Sequence, residues 1–282
     1  MNVQPQNATE AQPPAANRAG GSSFYLAMRI LGREQREAMF EIYSFCREVD
    51  DIADSDAPRP QRLEGLSEWR KNIESLYSGV IPPGLERLAK VIARYALRKD
   101  DLLAVIDGVG MDAAADIQAP SFEQLDLYCD RVASAVGRLS VRIFGMDDAD
   151  GVALAHHLGR ALQFTNILRD VDEDAAIGRL YLPQEALRLA GIVTTDPASV
   201  MESPRLGEAC MFLAERAREH FIKASEIMSR CSRRVVRAPK IMGGVYRQML
   251  EGMISRGWAR PRNRVHIHKS QLIWIALRHA FV

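Results

Sequence analysis

The chain has 282 residues, 47% of them hydrophobic, with 37 Lys and Arg against 36 Asp and Glu. Such a length and apolar content support one large domain with a sizeable core, and exclude a chain too polar to fold. The net charge of +1 hides an asymmetry: from Ser229 onward twelve Lys and Arg stand against one acid, Glu251, so the end carries +11 and the rest −10. A basic end suits the acidic body, a phosphate or anionic lipid; nucleic acid is the weaker partner, because no binding motif for it is present.

Residues 1–20, rich in Pro, Ala, Asn and Gln, read as a disordered tail without the apolar run of a signal peptide. Order is expected from Gly21-Ser22-Ser23-Phe24-Tyr25, with Ser23 suited to an N-cap. Apolar residues then recur at helical steps and β-branched alternation is rare, so the class is all-α. Helices are predicted at about 34–53, 63–77, 84–97 and 100–116. Pro58 with Pro60, Gly79 and Pro82-Pro83 mark their ends. Ser121 should cap the next helix, with Glu123 or Gln124 in its first turn. That helix carries Tyr128 and the small pair Ala133 and Gly137, which allows close helix packing or leaves room for a long apolar ligand. A central helix follows at about 149–175, then a turn at Thr194-Thr195-Asp196-Pro197. A long helix at about 204–230 precedes Pro239, and another ends near Ser255. The Leu272–Leu277 run is too short to span a bilayer, which needs ~20 apolar residues. Four scattered cysteines, Cys46, Cys129, Cys210 and Cys231, fit buried thiols of a reducing cytoplasm better than a disulfide frame.

The central helix places Gln163, Asn166, Asp170 and Asp174 at steps of three, four and four, hence on one stripe. Leu162, Phe164, Ile167, Leu168 and Val171 flank it, so the carboxylates belong to a helix buried on most sides. Alone, such a stripe also suits the solvated face of an amphipathic helix. A second copy changes the balance. Tyr43, Arg47, Asp50 and Asp54 repeat the geometry beside an apolar stripe of Met39, Ile42, Cys46, Val49 and Ala53. If the two helices face one another, four carboxylates converge, and like charges in a low-dielectric site must raise each other's pKa or bind metal. Hard oxygen ligands suit Mg²⁺, which holds substrate phosphates through a few carboxylates. Arg179, just past the second motif, is placed to meet a phosphate, although a helix-end Arg needs no ligand to justify it.

With both motifs placed, the chain resembles the squalene/phytoene synthase family, which joins prenyl diphosphates head to head. The likeness covers nearly everything after residue 20. Its marks are Ser23-Phe24-Tyr25, Cys46 through Asp54, Tyr128-Cys129 with Val132-Ala133 and Val136-Gly137, and Gln163 through Pro183. Asp172 through Pro183 and Arg237 through Arg247 look most like the presqualene diphosphate synthases of bacterial hopanoid pathways.

The resemblance implies a single-domain, isoprenoid-synthase-type helical bundle over 21–282 around a central cavity. Two farnesyl diphosphates would bind there, bridged by Mg²⁺, or Mn²⁺ in its place, to Asp50, Asp54, Asp170 and Asp174, with Asn166 in the ligand set. Gln163 and Asn166 would orient metal and water. Ser23, Phe24, Arg47, Arg169, Arg179, Tyr246 and Arg264 would contact substrate, and Tyr128 would steady the cation or relay the proton, a packing aromatic being the alternative. NADPH is not expected. Peripheral contact with the inner face of the cytoplasmic membrane is expected from greasy substrates and the basic end. The alternatives within the family are phytoene synthase, acting on geranylgeranyl diphosphate, and full squalene synthase. A non-enzymatic assembly factor would lack the acidic motifs.

Overall fold

The structure is a computed structural model that describes residues 27–263 and Val265. The expected tail at 1–20, Ser23, Phe24, Arg264 and the Leu272–Leu277 run lie outside the described residues. Twelve labelled α-helices follow in chain order: α1 Arg33–Ala53, α2 Arg59–Tyr77, α3 Glu86–Tyr95, α4 Lys99–Ala114, α5 Phe122–Cys129, α6 Ala135–Phe144, α7 Asp148–Arg169, α8 Val171–Ala176, α9 Gln184–Leu189, α10 Pro197–Glu202, α11 Leu206–Arg230 and α12 Arg233–Arg256. The only bridge among the described residues is an isolated parallel one between Gln118 and Leu180. No helix among them is long and apolar enough to cross a membrane.

The apolar stripes become the core as periodicity requires. On α1, Met39, Ile42, Val49 and Ala53 are buried, and on α7 Phe164, Ile167 and Leu168 are buried. Ser121 forms the expected capping box with Gln124. Two helices organise the rest. α7 packs on α11, α6, α12 and α5, while α4 packs on α2, α6 and α1.

Between α5 and α6 the helix passes without a break through a π turn, Asp130–Ser134, which touches both organising helices. Two glycines make that approach possible. A Cβ on Gly108 of α4 would lie 2.7 Å from the Arg131 and Val132 side chains, and one on Gly159 of α7 would lie 2.7 Å from the Ser134 Cα. Gly137 likewise meets Ala155, where an added Cβ would come within 3.1 Å of the Ala155 Cβ. The Gly137 position thus serves close packing, not ligand space. Ionic ties complete the clamp. Arg160 on α7, only 4% exposed, donates to both oxygens of Asp126 at 2.6 and 2.8 Å and to Asp130 at 3.1 Å. Arg138 joins Asp130 to Asp101 of α4.

Two expectations are corrected. The helix predicted at 149–175 breaks at Asp170 (φ −103°, ψ 15°) into α7 and α8. Pro239 does not separate two helices but lies inside α12, where Val236, Ala238, Pro239 and Ile241 are all buried. Packing there outweighs one missing backbone donor. The short helices α9 and α10 have too few turns to leave a readable period.

The glycine clamp predicts opposite signs for two Gly→Ala changes. Gly207, inside α11, has nothing within 4 Å of an added Cβ. Gly207→Ala should therefore stabilise by up to about 1 kcal/mol through helix propensity. Gly159→Ala meets backbone and should cost about 1–3 kcal/mol despite the same propensity gain. Urea unfolding of both variants checks the pair, and a stabilised Gly159→Ala would refute the clamp.

Candidate active site

The two acidic motifs reach the same place from opposite directions. Asp50 lies in the last turn of α1 and Asp54 caps its C-terminal end, where the Asp54 N–H bonds to the Asp50 carbonyl at 2.9 Å. Asp170 stands at the α7–α8 break and Asp174 on α8. After α8 the chain turns through a Schellman motif. The Arg179 N–H reaches the Asp174 carbonyl at 2.9 Å and the Gly178 N–H the Ala175 carbonyl at 3.1 Å, with Gly178 at φ +80°, a conformation that glycine adopts without strain. This turn sends Arg179 back across the gap, where its Nη2 donates to Asp54 Oδ1 at 3.0 Å.

A carboxylate the sequence reading passed over joins them. Asp112 of α4 accepts from the Tyr181 hydroxyl at 2.6 Å and from the Tyr128 hydroxyl at 3.0 Å. The two rings stack with centroids 5.2 Å apart. Its charge raises the pKa of both Asp50 and Asp174, so it faces both motifs. Burial, then the charge of Asp54, pushes Asp50 up to about 6, against the opposing pull of Arg47. Burial, then the charge of Asp170, pushes Asp174 up to about 7, against Arg179. Burial raises Asp112 as well, although the two tyrosines and Arg179 oppose it. Tyr128 is held well above the usual phenol range by burial and by Asp112, so it stays a hydrogen-bond donor.

The remaining expected residues gather around this centre. Arg47 donates to Asp50 at 2.9 Å and also to Asp51. Arg169 holds Asp170 in a two-pronged pair at 2.7 and 2.5 Å and is hydrogen-bonded to Tyr246 of α12. Asn166 donates to Gln163 at 3.4 Å. The other acid of the run points elsewhere: Asp172 is bound by Arg262 at 2.7 Å. That contact, with Arg230 on Asp150 and Arg260 on Glu202, shows the basic end neutralising the acidic body.

The donor set fits Mg²⁺. All its members are oxygens, two of its carboxyls are pushed up by burial and by neighbouring carboxylates, and the buried Asn166 Oδ1 has no hydrogen-bond partner. Among the described residues, no three carboxylates bring ligand oxygens within 4.8 Å of one another. The protein therefore supplies an incomplete shell, of the kind that water and phosphate oxygens fill. Beside Asp174 and Arg179 lies a shallow cleft walled by Ile167, Val171 and Leu180 to Leu182.

Comparison with known proteins bears on the family and the fold. The family model for squalene/phytoene synthase matches residues 17–271. The chain is 57% identical to the presqualene diphosphate synthase of Rhodopseudomonas palustris, over 95% of this chain and 97% of that one. It is 32% identical to the phytoene synthase of Mycobacterium tuberculosis, over 83% and 78%. A crystal structure of a dehydrosqualene synthase in complex with ligand superposes with a TM-score of 0.79 at 24% identity, covering 94% of this chain and 93% of that one. In fold and over nearly its whole length, the chain belongs to the squalene/phytoene synthase family.

Proposed function

We propose that this protein is a presqualene diphosphate synthase, which condenses two farnesyl diphosphates head to head and releases one diphosphate. The observation that carries the reading is the convergence of two distant acidic motifs on Asp112 and Arg179, a centre short of positive charge. Identity of 57% to a presqualene diphosphate synthase against 32% to a phytoene synthase supports the farnesyl chain over the geranylgeranyl one.

Asp50, Asp54, Asp170, Asp174 and Asn166 would hold Mg²⁺, which when bound neutralises the substrate diphosphates and stabilises the one that departs. Arg47, Arg169 and Arg179 each now pair with an acid of the motifs or a neighbour. With those acids engaged in holding the ion, these guanidiniums would be free to take phosphate oxygens, with Tyr246 beside Arg169. The donor's C1–O bond breaks with its electron pair leaving on diphosphate, and the acceptor's C2–C3 double bond attacks the allylic cation. Loss of a proton then closes the cyclopropane. Tyr128 and Tyr181 offer stacked ring faces to positive charge near the centre. Both hydroxyls donate to Asp112, so Tyr128 could pass a proton on to that carboxylate as a relay. The released diphosphate is the final base in this reading.

Farnesyl diphosphate with Mg²⁺ and no NADPH should yield presqualene diphosphate; phytoene-type product from geranylgeranyl diphosphate would favour the runner-up, and no diphosphate release from either would overturn the enzyme reading. Asp54→Asn and Asp174→Asn should each lower turnover by roughly 10²-fold or more, the scale of losing one transition-state charge contact, with unchanged circular dichroism.

Metal-free protein gives a separate pH prediction. Asp50 and Asp174 have folded pKa values raised to about 6 and about 7, so the folded state binds more protons than the unfolded chain. Their contribution to stability is full below the unfolded value and is lost as pH rises through 6 to 7. With EDTA present, Tm should thus carry a falling contribution between pH 5 and 8, and Asp174→Asn should flatten it. An unchanged slope in that variant would contradict the crowding.

A further inference from the structure

Three imidazoles meet on α7, remote from the carboxylates. His156 and His157 are successive residues of α7 and His220 comes from α11. One ligating nitrogen of each lies within 4.8 Å of the others, and the Nδ1 atoms of His157 and His220 are 2.9 Å apart. Imidazoles bound tetrahedrally at a metal–nitrogen distance of about 2.0–2.1 Å hold their nitrogens about 3.3 Å apart, so small ring rotations convert one arrangement into the other. All three are half-buried, which leaves a path for an ion. Phe164 walls one side, its ring centroid 5.8 Å from that of His220.

The surrounding charges permit a cation. Asp126 acts on His156 and His220, and Asp130 on His156. Arg160 opposes them, but it is already paired with both acids; Lys223 acts on His157. Burial lowers all three imidazoles, aided by Arg160 and Arg138 at His156 and by the neighbouring histidines at His157 and His220, the latter two to about 4, so the rings stand in the neutral form that binds metal. Nitrogen donors also separate this site chemically from the other. Imidazole selects Zn²⁺, Cu²⁺ or Ni²⁺, whereas the all-oxygen set selects Mg²⁺. Thirteen helical steps, about 20 Å, separate His157 from Asp170.

We propose that His156, His157 and His220 are the protein ligands of a transition-metal site of the Zn²⁺ class, completed by water, which staples α7 to α11. The inference does not depend on the prenyl reaction, and its test measures no turnover. Tag-free, chelator-stripped protein in Mg²⁺ buffer is titrated with Zn²⁺ against a chromogenic competitor. One Zn²⁺ per chain should bind and raise Tm. His220→Gln should weaken binding at least tenfold and abolish the Tm shift. His157→Gln gives the same reading from α7 should the α11 variant not fold. Co²⁺ should give the d–d spectrum of a nitrogen site, whereas a thiolate charge-transfer band would move the ion to a cysteine and overturn the proposal. Equal Zn²⁺ affinity in the wild type and the triple Gln variant, with circular dichroism unchanged, would also overturn it and leave the cluster as a hydrogen-bonded histidine pair.

Discussion

Mutual repulsion among Asp50, Asp54, Asp112 and Asp174 is the constraint around which the molecule is arranged. Carboxylates drawn from α1, α4 and α8 share a partly buried space, and burial is the largest cause of the raised pKa at Asp50, Asp112 and Asp174. Folding alone would disperse such a set, since each charge costs solvation and repels the others. The scaffold holds it with neighbouring cations and phenols: Arg47 on Asp50, Arg179 on Asp54, Arg169 on Asp170, and two tyrosines on Asp112. These partners suffice to keep the site folded but not to neutralise it, which is what a site for divalent cations and diphosphates requires.

The rest of the fold supplies rigidity where that strain acts. The π turn before α6 is gripped by Gly108 on one side and Gly159 on the other. It is also tied into the ionic chain Asp126–Arg160–Asp130–Arg138–Asp101. Tyr128 is two residues ahead of that turn, so the clamp fixes the phenol that fixes Asp112. The Schellman turn at Gly178 does the same for Arg179 from the other side. π turns recur at functional sites because an extra residue re-aims the side chains around it, and here the re-aimed stretch carries one wall of the acidic centre.

How much of this was legible follows from what leaves a periodic trace. The core faces of α1 and α7, the Ser121 cap and the paired motifs Asp50/Asp54 and Asp170/Asp174 all rest on 3.6-residue spacing or on cap chemistry, and the sequence shows both. Asp112 does not. It is a single acid on α4, and its meaning comes from tyrosines 16 and 69 residues away. The break at Asp170 was hidden for a related reason. No Gly or Pro marks it, the backbone bonds on both sides persist, and the Asp170 carboxylate is held by Arg169 where it might otherwise have capped α8. Pro239 misled in the opposite direction, because a local breaker yields to a helix buried on its inner face.

That break resolves an apparent excess of acid in the second motif. Asp170, Asp172, Glu173 and Asp174 crowd five residues, more negative charge than a partly buried helix start can hold at one point. With the chain turned at Asp170, Asp172 faces away and is locked by Arg262, whose side chain is only 5% exposed; its pKa falls, chiefly through that hydrogen bond. Asp174 faces inward, where burial and Asp170 drive its pKa up. Two acids two residues apart thus shift in opposite directions because Asp172 is hydrogen-bonded to its cation, whereas Asp174 is more deeply buried beside other carboxylates and feels Arg179 only through its field. The acid without a bonded cation is the acid for which an incoming ion has the most to offer.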